Sequence, residues 1–202
     1  MNVYGPQPTV EFCDKIVGST GAFFPDWNAR CNWGRSLEVF EARGGKLPRT
    51  GPNVKAEDIN VGWTHSTPDY KVTAGYADHA QPYLDCVAYR FDFPSGKSCV
   101  FSGDTGLCDE VIELARGADI FFCMSSGADM NDTTTVRNCA QGAANAHDAG
   151  VMAQRAGVKT LVLVHQGPGQ ALKQNWQKSI DEAKESFNGE IIFGEEITTF
   201  EL

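Results

Sequence analysis

Apolar residues along the chain fall into short runs separated by Gly- and Pro-rich turns, and most of these runs have strand length. Met1–Pro6 reads as a strand entering a turn, and residues from Pro8 to Ile16 as a short helix. From Gly18 to Arg35, Gly, Pro, Asn and the aromatics Phe23, Phe24, Trp27 and Trp33 recur without a period, which predicts a loop packed on its rings. Ser36–Ala42 alternates polar and apolar residues, the period of a half-buried strand. Arg43 to Val54 predicts a turn region, Glu57 to Trp63 a weak strand and Tyr70–Tyr76 a further strand. Cys86–Phe93 alternates cleanly and turns at Pro94–Lys97 into the strand Cys99–Phe101, the pattern of an antiparallel hairpin.

Beyond this hairpin the period changes. Asp109 to Arg116 places Val111, Ile112, Leu114 and Ala115 on one side of a helix that Gly117 ends. Asp119–Met124 and Thr160–Val164 are almost wholly apolar, as central strands covered on both faces are. Ser125 to Val136 is polar and irregular; Ala140 to Ala156 predicts a helix closed by Gly157, and Ala171 to Phe187 a long final helix. Ile191–Gly194 and Ile197–Phe200 predict a closing hairpin. Strands that first pair locally and then alternate with helices define a mixed α/β (α+β) class, with helices packed on sheet. We read residues 1–202 as a single domain, long enough to bury a substantial core.

Composition adds exclusions. A net charge of -9 gives no general attraction for phosphate backbones, so nucleic acid is not the expected partner. No apolar run reaches the length of a membrane span and no signal segment opens the chain, which predicts a cytoplasmic protein without a membrane partner. The 7 cysteines are odd in number and form no CxxC pair, so they read as reduced and structural.

The candidate chemistry lies at strand ends. Ser102-Gly-Asp-Thr-Gly106 is a tight turn that closes the strand ending at Phe101. Its Asp104 reads either as the N-cap of the next helix or as a functional carboxylate. His79 follows the Tyr70–Tyr76 strand and His165 follows Thr160–Val164, each beside a Pro-containing turn. Two imidazoles and a carboxylate form a usual ligand set for first-row metals, and an aspartate can bridge two ions. His147, followed by Asp148, reads either as an exposed helix residue or as a proton donor aimed at the same strand ends; His65 fits no such pattern and reads as a surface residue.

From Cys86 onward the chain resembles the second half of a metallo-β-lactamase-fold hydrolase, of the branch that includes tRNase Z and related phosphodiesterases and arylsulfatases. The resemblance rests on Ala88-Tyr-Arg, Val100-Phe-Ser-Gly-Asp-Thr-Gly106, Leu114-Ala-Arg-Gly-Ala-Asp-Ile120, Ala146-His-Asp-Ala-Gly150 leading to Ala156-Gly-Val-Lys, and Leu161-Val-Leu-Val-His165. Val3-Tyr4-Gly5-Pro6 is similar to the strand that follows the first metal motif of that family. The resemblance implies an αββα sandwich and a zinc centre of one or two ions. In it Asp104 is the bridging carboxylate, His79 and His165 are ligands, and His147 assists the leaving group or stabilises the transition state. The implied reaction is attack of water on a phosphodiester, sulfate ester or similar ester of a small-molecule substrate.

Two departures qualify the resemblance. The HxHxDH motif of the family, which supplies ligands to both ions, is absent, so the fold is expected to be incomplete at its N-terminus. Met124 stands where relatives commonly carry a glutamate. These departures keep a second expectation alive, a degenerate, non-catalytic relative acting as a binding or scaffold module. A chain lacking the first half would also expose apolar surface through which a homodimer could form.

Overall fold

A computed structural model describes residues 1–126, 142–167 and 169–202. The chain forms two compact units, Met1–Asn60 and Val61–Leu202.

In the first unit, β1 (Asn2–Gly5) pairs in parallel with β2 (Lys55–Asp58), between which lie α1 (Thr9–Val17), α2 (Phe24–Asn32) and α3 (Gly34–Ala42). β1 and α1 follow the apolar pattern; β2 ends before the strand expected from Glu57 to Trp63 is half complete. The segment from Gly18 to Arg35, expected as a loop, instead contains α2. Pro25 lies in its first turn, where a fixed φ favours the helix, and Arg30 pairs with Asp26 one turn away at 2.8 Å. The strand expected at Ser36–Ala42 is also a helix. Leu37 and Phe40, three apart, share its partly buried side with Ser36 and leave Val39 half exposed. A stretch of Leu, Glu and Ala satisfies the helical period as well as the alternating one, and helix propensity decides between them.

The second unit is built on a seven-stranded sheet of order β3-β4-β5-β6-β7-β8-β9. Its strands are β3 (Thr64–Ser66), β4 (Lys71–Tyr76), β5 (Val87–Asp92), β6 (Ser98–Phe101), β7 (Ile120–Met124), β8 (Thr160–Val164) and β9 (Glu190–Phe193). The hairpin β5–β6 is antiparallel as expected, and β6 through β9 pair in parallel. Because β5 runs against both neighbours, β4 points the same way as β6, β7, β8 and β9. The crossovers from β6 to β7 and from β7 to β8 carry α4 (Asp109–Ala115) and α5 (Ala146–Ala156). β3, three residues long, has no apolar signature in the sequence.

Three further expectations change. The helix expected from Ala140 begins at Ala146, because Asn145 accepts the Asp148 amide while the Asp148 carboxylate accepts the Asn145 amide, a reciprocal cap that fixes the first turn. The final helix is shorter, a 3-10 turn at Lys173–Asn175 followed by α6 (Trp176–Lys184). The closing hairpin is not formed. Ile197 takes a φ of 66° and is fully exposed, which breaks the extended run, and Phe200 packs edge-on against Phe122 at 5.1 Å. The irregular segment expected at Ser125–Val136 lies outside the described residues from 127 onward.

The main core fills one face of the sheet, where Val111, Ile112, Phe121, Met152 and Leu161 are at most 2% exposed. Among the described residues the cysteines are free thiols, and burial pushes that of Cys123 up to about 12. Arg90 of β5 donates to the carbonyls of Leu114 (3.0 Å) and Arg116 (2.9 Å), so a sheet residue satisfies the C-terminal end of α4.

At the starting end of the parallel strands Asp119 is nearly buried. Its carboxylate accepts from Lys159 (2.6 Å), the Ser98 amide (2.9 Å) and Lys97 (3.3 Å), joining the entries to β6, β7 and β8. The Lys159 bond above all, with those from Ser98 and Lys97, outweighs burial and holds the carboxyl down at about 2. A lowered folded pKa contributes stability above the ordinary carboxylate range that is lost as pH falls through the folded value. Asp119→Asn is therefore expected to remove about 2 kcal/mol at neutral pH and to flatten the parent's loss of stability between roughly pH 4 and pH 2, read from urea unfolding midpoints.

Candidate metal centre

The site is built where the co-directed strands end. The sheet register places Tyr76, Gly103, Met124 and Val164 at one level, so the residues just beyond β4, β6 and β8 emerge side by side. His79, Asp104 and His165 are those residues. The Asp104 carboxylate lies between the two rings: Oδ1 is 3.3 Å from His165 Nε2 and Oδ2 is 3.9 Å from His79 Nε2. The three side chains are 36% (His79), 42% (Asp104) and 54% (His165) exposed, which leaves the group open to a ligand.

Local backbone geometry produces this arrangement. Gly103 adopts a φ of 61°, with space for a Cβ limited to 3.0 Å from the Val87 carbonyl, so the chain reverses tightly just before Asp104. His165 also takes a left-handed φ, 53°, a conformation that costs a non-glycine residue about 1 kcal/mol or more. His79 Nδ1 is bonded to the Gly142 carbonyl. A neutral imidazole that donates from Nδ1 keeps its lone pair on Nε2, the atom facing Asp104.

His147 is not brought into this triplet by any ion pair or hydrogen bond described. Its Nδ1 lies 3.8 Å from Asp148 Oδ1, and its side chain is 46% exposed at the N-terminal turn of α5. Because α5 runs back from the site edge of the sheet to its starting edge, that turn lies at the same edge as the strand ends. His65 belongs elsewhere, on β3, with its ring stacked on Trp63.

The donor set fits a metal in kind. Donors on one ion with bonds of about 2.1 Å sit about 3 to 3.5 Å apart, close to the Asp104–His165 separation, and a carbonyl holding the far nitrogen is the usual support of a ligand histidine. Asp104 offers one oxygen to each imidazole, as a carboxylate shared by two ions does. Among the described residues, however, no group of three or more His, Cys, Asp or Glu side chains is arranged around one ion. Each ion would draw two ligands from the residues described.

Met124 does not leave its position empty of polar contact. Its sulfur accepts the Thr105 amide at 2.8 Å, and it is 1% exposed. Sequence pattern assigned no role to Thr105, to Gly142 or to Ser102, whose hydroxyl accepts the Met124 amide at 3.0 Å, because what they do is bond across segments that are distant in the chain. The nearest signal was the residence of Thr105 in the Ser-Gly-Asp-Thr-Gly turn.

Residues 32–166 match the family described as the beta-lactamase superfamily domain, and the chain belongs to this superfamily, that of the metallo-β-lactamase fold. Within it the chain is 37% identical over 102 residues to an uncharacterized protein of Mycobacterium bovis, a match covering 50% of this chain and 34% of that protein. The chain thus spans about a third of the length of the first relatives it matches. It is 27% identical over 160 residues to a ribonuclease Z of Mycobacterium tuberculosis, covering 76% of this chain and 56% of that one. The fold overlays the metallo-beta-lactamase fold protein YhfI from Bacillus subtilis with a TM-score of 0.55 at 24% identity, over 78% of this chain and 58% of that one. It also overlays the short form of human tRNase Z with a TM-score of 0.55 at 13% identity, over 98% and 66% of the two chains. These two likenesses are of fold.

The strain at His165 gives a test of the geometry. His165→Gly is expected to raise the stability of the metal-free chain by about 1 kcal/mol, since a half-exposed ring forfeits little packing and the left-handed backbone is relieved. Thermal unfolding of the two chains without metal checks it; an equal loss would mean that the ring, not the backbone, sets the conformation.

Proposed function

We propose that the protein is a metal-dependent hydrolase that cleaves a phosphodiester, sulfate ester or similar ester, with His79, Asp104 and His165 as ligands and zinc as the metal. The observation that carries this reading is the Asp104 carboxylate set between two imidazoles, one on each oxygen. When bound, a divalent ion of this kind acidifies a water and polarises the ester oxygen. Asp104 holds its two oxygens apart toward the two rings, and the Gly142 carbonyl fixes which nitrogen His79 presents. His147, at the helix end on the same edge, gives a proton to the departing oxygen. The net charge of -9 favours a small ester over a long nucleic acid chain. The lack of a helix long and apolar enough to cross a membrane among the described residues is compatible with the cytoplasmic setting we propose.

A second reading is supported by the two-ligand shortfall among the described residues: a non-catalytic family member that acts as a binding or scaffold module. The two readings separate on zinc content and turnover. For the hydrolase, the full chain dialysed against zinc retains the metal and hydrolyses bis(p-nitrophenyl) phosphate, and His165→Ala loses both. His147→Ala is expected to lose roughly a hundredfold in kcat on an ester with a poor leaving group and far less on the nitrophenyl ester, whose leaving group needs no proton. A chain that retains no zinc and turns over nothing, with partner binding untouched by His165→Ala, establishes the binding module.

A further inference from the structure

Thr105 is fully buried beside the partly exposed Asp104, and every polar atom it has is engaged. Its hydroxyl accepts the Asp78 amide at 3.1 Å and donates to the Gly106 carbonyl at 3.0 Å, while the Gly106 amide returns to the Asp78 carbonyl at 2.8 Å. Its own amide donates to Met124 Sδ at the end of β7. Its carbonyl accepts the Ala144 amide at 2.7 Å, just before the cap of α5. One residue thus ties together the loop after β4, the turn after β6, the end of β7 and the approach to α5.

These bonds close a circuit through the site. Asp78, held by the Thr105 hydroxyl, is the residue before His79. Ala144, held by the Thr105 carbonyl, lies two residues after Gly142, whose carbonyl takes His79 Nδ1. The approach at Gly142 is close enough that a Cβ there would stand 2.5 Å from the His79 carbonyl oxygen. The backbone of His79 is therefore fixed from one side and its ring from the other, and both restraints run back to the neighbour of Asp104.

We infer that Thr105 is the positioning residue that sets the His79 ring against Asp104, a role that rests on the metal-site reading for its consequence in binding. A buried hydroxyl that merely filled space would be replaced without loss by a valine of the same shape. A hydroxyl that positions a ligand would not. Supporting groups one step removed from a metal typically change affinity by about 10- to 100-fold.

The test compares Thr105→Val, Thr105→Ser and the parent as full chains. Amide hydrogen exchange without metal reads the clamp: the Asp78 amide is expected to exchange at least about tenfold faster in Thr105→Val and at near-parental rate in Thr105→Ser. Zinc affinity, measured by chelator competition, is expected to fall at least about tenfold in Thr105→Val, with the cobalt-substituted absorption bands shifted, and to recover in Thr105→Ser. Gly142→Ala, which leaves Thr105 intact, is expected to weaken zinc in the same way and serves where the valine variant does not fold. Parental Asp78 exchange in Thr105→Val overturns the proposal, as does unchanged zinc affinity in both Thr105→Val and Gly142→Ala. If the parent itself takes up no zinc, the hydrolase reading falls, and the exchange measurement alone then decides whether the clamp exists.

Discussion

The second unit depends on the shared direction and register of β6, β7 and β8. Their entries are pinned by the buried carboxylate of Asp119, which gathers two lysines and a backbone amide at one edge. Their last residues release the Asp104 turn, Met124 and His165 at the other edge. In a parallel sheet the side-chain period is two, so a slip of one residue would turn each of these groups to the opposite face. A charge cluster that fixes where the strands start therefore also fixes what stands at their ends. The antiparallel β5 completes the scheme, since it restores β4 to the common direction and delivers His79 to the same edge.

Rigid and adaptable parts are divided sharply. The strands beneath the site bury their inner residues (Val72 and Ala74, Cys99 and Val100, Leu161 to Leu163), while His79, Asp104 and His165 stand on turns with a third to a half of each side chain open to solvent. Two of those turns carry left-handed backbone, at Gly103 and His165. Loops of this kind carry binding chemistry because a scaffold holds their ends and leaves their tips free to vary. The chain also substitutes one kind of support for another: the Met124 thioether accepts an amide from the Asp104 turn, so an apolar residue anchors a polar loop from inside the core.

Much of the second unit was legible in the sequence because its strands are short apolar runs with few alternatives. The hairpin of β5 and β6, the central strands β7 and β8, and α4 all fall where the pattern puts them. The first unit was legible only in β1 and α1. Ser36–Ala42 fits two periods, and the helix propensity of its Leu, Glu and Ala residues decided between them. The reciprocal cap of Asn145 and Asp148 was written in the chain but gives a helix start only when the preceding residues are seen to be extended. Ile197–Phe200 looked like a strand because its apolar residues are real; one goes to solvent and the other to an aromatic neighbour. At the site, the residue types and their strand-end positions were visible, whereas the pairing of His79 with the Gly142 carbonyl and the bonds of Thr105 exist only once distant loops meet.

That spacing along the chain has a consequence for how the protein comes together. His79, Asp104 and His165 each hang from a different strand, and the strands between them must all be paired before the three can approach. Such far-apart contacts carry a large loop-closure cost and form late. A partly folded chain has no version of this carboxylate between two rings, so a ligand that recognises it selects the finished sheet and none of its precursors. Occupancy would then act on the whole second unit, drawing the folding equilibrium toward the native state in proportion to the logarithm of free ligand.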